Sequence, residues 1–289
     1  MVLIFILLFT FISPVLAFDI EGSLLSRDGY TSYTINDQSN NWQSVLEFPL
    51  DYEILKLNCK VKLGKKIKLI NLAYLTNISG EPEKPFIDSD WISTEGVGEA
   101  DLYAETETKV DMSEFSLDLL LNHDFISSKK IFLGFGLGYK ESKHNYMIVG
   151  PGYQKNNINN TKIYFDDQEE LLEYDLHIKA PYILLYSETS AIKSKIKIYP
   201  NLDVYDLDHH ILRDKYSESE NNGSGFKLDL QYNKEIKKNL ALTVGFIYEL
   251  IKADGKQNQW FEDSDVEYEV DYELKYSHKN FTAGIEYRF

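Results

Sequence analysis

Apolar and polar residues alternate one by one through most of this chain. Near the end, Phe281, Ala283, Ile285, Tyr287 and Phe289 fall on one parity, and Thr282, Gly284, Glu286 and Arg288 on the other. Leu240, Leu242, Val244, Phe246 and Tyr248 alternate in the same way with Ala241, Thr243 and Gly245. Phe226, Leu228, Leu230 and Tyr232 alternate with Lys227, Asp229 and Gln231, and Phe115, Leu117, Leu119 and Leu121 with Glu114, Ser116 and Asp118. Ile131, Leu133, Phe135, Leu137 and Tyr139 are spaced by Phe132, Gly134, Gly136 and Gly138. A period of two sends successive side chains to opposite faces, so each run predicts a β-strand with one apolar face. That face packs on a partner sheet in a soluble sandwich and on lipid in a membrane barrel. Alternation alone fits both. The ending Tyr287-Arg288-Phe289 closes a strand on an aromatic residue. It has the form of a signal for the barrel assembly machinery and favours the membrane barrel.

Between the runs lie short turns at 63–66, 126–129, 188–193 and 233–239, and long polar segments at 37–41, 79–108, 150–170, 206–224 and 253–271. They alternate, as they must when strands run up and down with short periplasmic and long outer connections. Five long and four short connections predict a ten-stranded antiparallel transmembrane β-barrel with long extracellular loops and both termini on the periplasmic side. Residues Met1 to Ile12 are almost all apolar, and Val15-Leu16-Ala17 suits a cleavage site. Residues 1–17 are therefore expected to be a signal peptide, and 18–289 one barrel domain. Beyond residue 17 no run approaches the roughly 20 apolar residues of a spanning helix. Entry into a membrane would then require a closed barrel, which satisfies every backbone group internally.

Composition sharpens this picture. Aromatic residues make up 14% of the chain, with 21 Tyr and 16 Phe, types that favour strands and gather at the two interfaces of a membrane barrel. The net charge of −16 argues against nucleic acid as a partner, because phosphates need a basic surface. It suits cationic ligands instead. The single cysteine, Cys59, allows no intrachain disulfide.

Much of the acid sits in the long segments, from Glu81 to Glu107 and from Glu262 to Asp271. Two clusters there carry candidate chemistry. In Phe86-Ile87-Asp88-Ser89-Asp90-Trp91 two carboxylates are one residue apart, and so share a side of an extended segment. In Asp206-Leu207-Asp208-His209-His210-Ile211-Leu212-Arg213-Asp214, Asp208 and His210 share a side in the same way. Neutral histidine is a natural general base near pH 7, and a neighbouring aspartate fixes its tautomer and stabilises the imidazolium. Taken alone, an Asp-x-Asp in an acidic segment is by default solvation of a barrel mouth, and Asp-x-His points to chemistry only slightly more. A metal site is a third reading, though one cysteine and no His-x-x-x-His pair leave no strong ligand set, and no metal or other cofactor is expected.

Asp-Ser-Asp-Trp at 88–91, Asp-Leu-Asp-His-His-Ile-Leu-Arg-Asp at 206–214 and Thr-Ala-Gly-Ile-Glu-Tyr-Arg-Phe at 282–289 together resemble the omptin family of outer-membrane endopeptidases. The resemblance spans the mature chain in loop order and strand count. It implies a bacterial outer-membrane location and catalysis by Asp88 and Asp90 with Asp208 and His210, through activated water and without a covalent intermediate. His209 stands where the family often has Glu, and would point away from the pair. The family's preference for cationic peptide and protein substrates rests on acids in the first subsite. Asp206 matches one. The second, a Glu on the first strand, has no clear match at Tyr30, Thr31 or Ser32. The resemblance also implies lipopolysaccharide as an activator, gripped on the outer wall by Tyr139, Glu141 and Lys143, where Lys143 replaces the usual Arg. The unmatched Glu and the substituted His209 keep a second function open, a barrel that binds surfaces as an adhesin without cutting.

Overall fold

The computed structural model describes residues 18–37, 42–62, 67–77, 82–92, 101–128, 131–262 and 267–288. The expected signal peptide, the terminal Phe289 and the turn at 63–66 lie outside them. The strands are β1 (Phe18–Asp37), β2 (Trp42–Pro49), β3 (Glu53–Lys62), β4 (Ile67–Asn77), β5 (Phe86–Ile92), β6 (Asp101–Ser127) and β7 (Ile131–Asn156). They continue with β8 (Thr161–Phe165), β9 (Glu170–Thr189), β10 (Ile192–His210), β11 (Lys215–Lys237), β12 (Leu240–Phe261) and β13 (Glu267–Arg288). β1, β3, β4, β6, β7 and β9 to β13 pair in a ring that closes between β13 and β1, so the expected ten-stranded antiparallel barrel is present.

Two strands of the ring are broken across their length. β3 and β4 serve the half of the barrel nearer the termini; beyond them β2 and β5 fill the space between β1 and β6. The break between β2 and β3 keeps its tie to β1, because Leu50 N donates to Gly29 O and Tyr52 O accepts from Arg27 N, each at 3.0 Å. Backbone groups are thus satisfied across the bend.

The wall is apolar outside and polar inside, the reverse of a soluble protein. Leu137 and Phe281 are 60% and 67% exposed on the outer face, whereas Glu114 and Asp118 are 4% and 8% exposed within. The interior charges are paired. Arg27 Nη1 donates to Glu114 Oε2 at 2.5 Å and to Tyr52 OH at 2.8 Å. Lys140 Nζ donates to Glu249 Oε1 at 2.8 Å and Lys193 Nζ to Glu286 Oε2 at 2.6 Å. Gly134 and Gly138 carry no side chain where the rings of Tyr186 and Tyr182 cross the wall, and those hydroxyls donate to Asp124 and Asp118. Side chains fill the lumen so far that the cavity among these charges holds only about 40 Å³.

One expectation needs correction. The segments expected as long loops are largely strand: β5, the start of β6, the ends of β7, β10 and β12, and the starts of β11 and β13 all fall within them. The ladder goes on beyond the apolar belt, as in the unbroken run of pairs from Asp203↔Asn222 to His210↔Lys215. Polar residues on both faces gave no alternation to read, yet pairing supplies the hydrogen bonds that hold such strands together.

Candidate active site

The extended end of the barrel, opposite the termini, brings the two motifs together. β5 carries Asp88 and Asp90 and pairs with β2, setting Asp88 opposite Leu46 and Asp90 opposite Ser44. Ser44 Oγ donates to Asp88 Oδ1 at 3.0 Å. Across the opening, β10 ends in Asp208 and His210, held between β9 and β11. A 3₁₀ turn, Ile211–Arg213, then reverses the chain through Asp214, whose left-handed φ of 47° makes the corner. That reversal brings Arg213 and Lys215 back over the site. Asp88, Asp90, Asp208, His210, Arg213 and Lys215 all line one cleft with about 50 Å³ of space for solvent.

The floor is aromatic. Tyr33 packs on Tyr174 with ring centroids 5.0 Å apart, and Phe48 on Tyr174 at 4.6 Å and on Tyr146 at 4.8 Å. Packed rings of this kind, stacked between Phe48 and Tyr174 and tilted in the other two pairs, close the cleft from below and hold hydroxyls in place for its acids. Tyr33 OH donates to Asp208 Oδ2. Tyr272 OH donates to Asp206 Oδ2, which Tyr174 OH also reaches at 3.4 Å. Asp206 is 0% exposed. It lies under the floor and not on the cleft.

Asp208 and His210 share the cleft but make no hydrogen bond to each other. Tyr33 takes one oxygen of Asp208, and the buried Nδ1 of His210 has no partner. His209 points the other way and stacks on Tyr216 at 4.2 Å. Burial, together with the charges of Arg213 and Lys215, brings the His210 imidazole down to about 4, so it is neutral over most of the pH range. Burial lifts Asp208 to about 6 against the opposing Tyr33 bond, and Asp206 to about 7. Asp88 is raised by burial and by repulsion from Asp90, which burial also raises, so the pair favours keeping a proton. Among the described residues no group of three or more His, Cys, Asp or Glu is arranged to hold a metal ion.

Tyr139, Glu141 and Lys143 lie elsewhere, on the outer face of β7, with Lys140, Ser142 and His144 buried on the opposite parity. His177 on β9 joins that patch, with Nε2 at 2.8 Å from Glu141 Oε1.

Residues 36–289 match the Omptin family. The chain belongs to the omptin family. It has the fold of an outer-membrane protease, for it superposes on the outer membrane protease OmpT from Escherichia coli with a TM-score of 0.80 and 18% identity, covering 94% of this chain and 97% of the other. The outer membrane protein OprG from Pseudomonas aeruginosa covers 93% of the chain and 96% of its own, at 11% identity, but its TM-score of 0.35 carries no argument. No curated protein matches the sequence.

Four contributors to the omptin cleft were not singled out from the sequence: Tyr33, Ser44, Arg213 and Lys215. Ser44 and Tyr33 sit on strands whose pairing partners were unknown. Arg213 and Lys215 had a readable signal, two basic residues three and five positions after the histidine of Asp-x-His in an otherwise acidic segment.

Proposed function

We propose that this omptin is a surface endopeptidase that cleaves peptides and proteins beside basic residues, with its cleft on the extracellular side of the bacterial outer membrane. The observation that carries the reading is the meeting of Asp88 and Asp90 from β5 with Asp208 and His210 from β10 around a space of about 50 Å³, room for one water by volume. In this mechanism neutral His210 takes a proton from a water positioned by the Asp88–Asp90 pair. The resulting hydroxide attacks the scissile carbonyl while the proton of the pair hydrogen-bonds the developing oxyanion; the adduct then collapses, the C–N bond breaks, and the His210 imidazolium returns its proton to the leaving amine. Asp208 uses its second oxygen to meet Nδ1 of the imidazolium while Tyr33 keeps the first. No covalent intermediate forms and no metal or cofactor takes part. His210 is neutral above about 4 and Asp208 ionised above about 6. Activity therefore rises through pH 6, and falls again where the Asp88–Asp90 pair loses its proton.

Asp206 supplies the acid of the first subsite from beneath the cleft. Thr31 is buried and shares a hydrogen bond of 2.9 Å with Tyr146 OH; none of Tyr30, Thr31 and Ser32 supplies a second acid, so the preference for Arg or Lys is weaker than two acids would give. Lipopolysaccharide acts as activator through Tyr139, Glu141 and Lys143, and the barrel assembly machinery inserts the chain.

The bond from Tyr33 to Asp208 and the enclosure of Asp206 favour a second reading, a barrel that binds cationic surfaces as an adhesin but does not cut. Digestion of a peptide library by the refolded, lipopolysaccharide-supplemented barrel separates the two. Cleavage beside Arg or Lys with a pH profile rising near 6 supports the protease; intact peptides retained on the barrel support the binder.

A further inference from the structure

A groove of about 740 Å³ opens on the outer wall where β12, β13 and β1 run beneath the β2–β5 extension. That volume is in the range of small-molecule sites. Its charge is opposite in sign to that of the chain as a whole. In a protein of net charge −16, this groove gathers Lys84, Lys252, Lys275 and Lys279 against two carboxylates, Asp28 and Glu47. Lys84 is already paired with Asp28. Lys275 lies over the ring of Tyr30 at 5.0 Å. Lys252 and Lys279 have no carboxylate within ion-pair distance among the described residues, and Lys252 stands directly opposite Lys275 across the β12–β13 ladder. Like charges in that position destabilise a sheet. Asp28 faces Lys279 across the β1–β13 ladder and Glu47 lies near Lys275, but no carboxylate separates Lys252 from Lys275, and an anion between them relieves their repulsion.

The position on the wall says what kind of anion. Following the outer faces toward the termini, Lys279 gives way to Phe281 and Ile285, Lys252 to Tyr248 and Phe246, and Asp28 to Leu24. Phe281, Ile285 and Leu24 are exposed, and Phe246 packs on Phe281 with centroids 5.6 Å apart. Lysines thus stand just above an aromatic and aliphatic belt, at the level where lipid headgroups meet acyl chains. A free anion would use the lysines alone. An amphiphile uses both the lysines and the belt below.

We propose that this groove binds a membrane lipid with a phosphorylated headgroup, its phosphate between Lys252, Lys275 and Lys279 and its chains along Phe246 and Phe281. It lies on β12, β13 and β1, away from the Tyr139–Lys143 patch of β7, and does not depend on the protease reading. Native mass spectrometry of the folded barrel in a neutral detergent tests it, with phosphatidic acid as probe, diacylglycerol of the same chains as the phosphate-free control and inorganic phosphate as competitor. The expected result is retention of phosphatidic acid but not diacylglycerol, weakened about tenfold or more in Lys252→Ala/Lys279→Ala and unchanged in Lys238→Ala, an exposed lysine on the β11–β12 turn at the other end of the barrel. The milder Lys252→Gln/Lys279→Gln pair, which keeps the side-chain length, serves if the alanine variant misfolds. Equal binding by the double variants, equal retention of diacylglycerol, or displacement of the lipid by equimolar inorganic phosphate would overturn the assignment.

Discussion

The two halves of this barrel treat buried charge in opposite ways. In the half nearer the termini each interior acid named above meets a base or a hydroxyl: Arg27 with Glu114, Lys140 with Glu249, Lys193 with Glu286. At the other end Asp88 and Asp90 crowd each other, Nδ1 of His210 has no partner, and Arg213 has no carboxylate at ion-pair distance among the described residues. An unpaired polar group costs free energy wherever water is excluded. Single atoms without a partner occur in both halves, Nε of Arg27 and Nδ1 of His278 among them; what differs is that the acids of the first half stand beside cations and those of the cleft beside each other. The contrast marks the first half as scaffold and the second as the place where a reacting group would complete the hydrogen bonding.

Substitutions on the cleft side of this contrast should give the largest effect. His210→Ala and Asp88→Ala are each expected to lower peptide cleavage by about a hundredfold to ten-thousandfold, while the folded barrel keeps its electrophoretic shift and its urea midpoint. If both variants cut at the wild-type rate, the division into scaffold and site fails.

On the scaffold side the signature is reversed. Arg27→Ala strands Glu114 in the interior and should cost roughly 3–5 kcal/mol of stability, read from urea unfolding in detergent or lipid. The turnover of molecules that remain folded should change little. Loss of turnover with unchanged stability would place Arg27 in the wrong region.

Tyr33→Phe probes the boundary, because its hydroxyl joins the aromatic floor to Asp208. The bond favours ionised Asp208. Without it the carboxyl titrates higher, so the acid limb of the pH–rate profile moves to higher pH. At pH 7 turnover should fall by about three- to tenfold, as for one hydrogen bond. A profile that keeps its wild-type limb would show that Asp208 does not control it.

The smallest effect is expected from Arg213→Ala/Lys215→Ala. Both cations disfavour the imidazolium of His210. Their removal raises the pKa of that ring, and without Lys215, which holds the Asp208 carboxyl lower, Asp208 also titrates higher, so the acid limb it sets moves upward with little change at the optimum. A shift to lower pH would contradict the electrostatics derived for the cleft.

Much of the scaffold was legible along the chain because lipid imposes a rule that every residue obeys. Phe281, Ile285, Leu137 and Leu119 are exposed on the outer face as their parity required, and Glu286, Thr282 and Asp118 lie inside. The upper strands were not legible. Glu218, Glu220, Asn258 and their neighbours are polar on both faces, so no alternation marks them, and only their pairing within β10 to β13 makes them strand. Asp88 with Asp90 and Asp208 with His210 could be paired by their i, i+2 spacing. That one cleft unites them, that Tyr33 intervenes at Asp208 and that Asp206 is shut beneath tyrosines depended on strands far apart in the chain.

The sequence by itself determined the period-two alternation, hence the strands, their ring of ten and the face turned outward, because a backbone in hydrocarbon has few other ways to satisfy its hydrogen bonds. Only the tertiary structure decided which side chains meet across the mouth of that ring. Closure brings β5 toward β10 and sets the distances, the burial and the unpaired imidazole nitrogen, none of which is a property of any one stretch of chain.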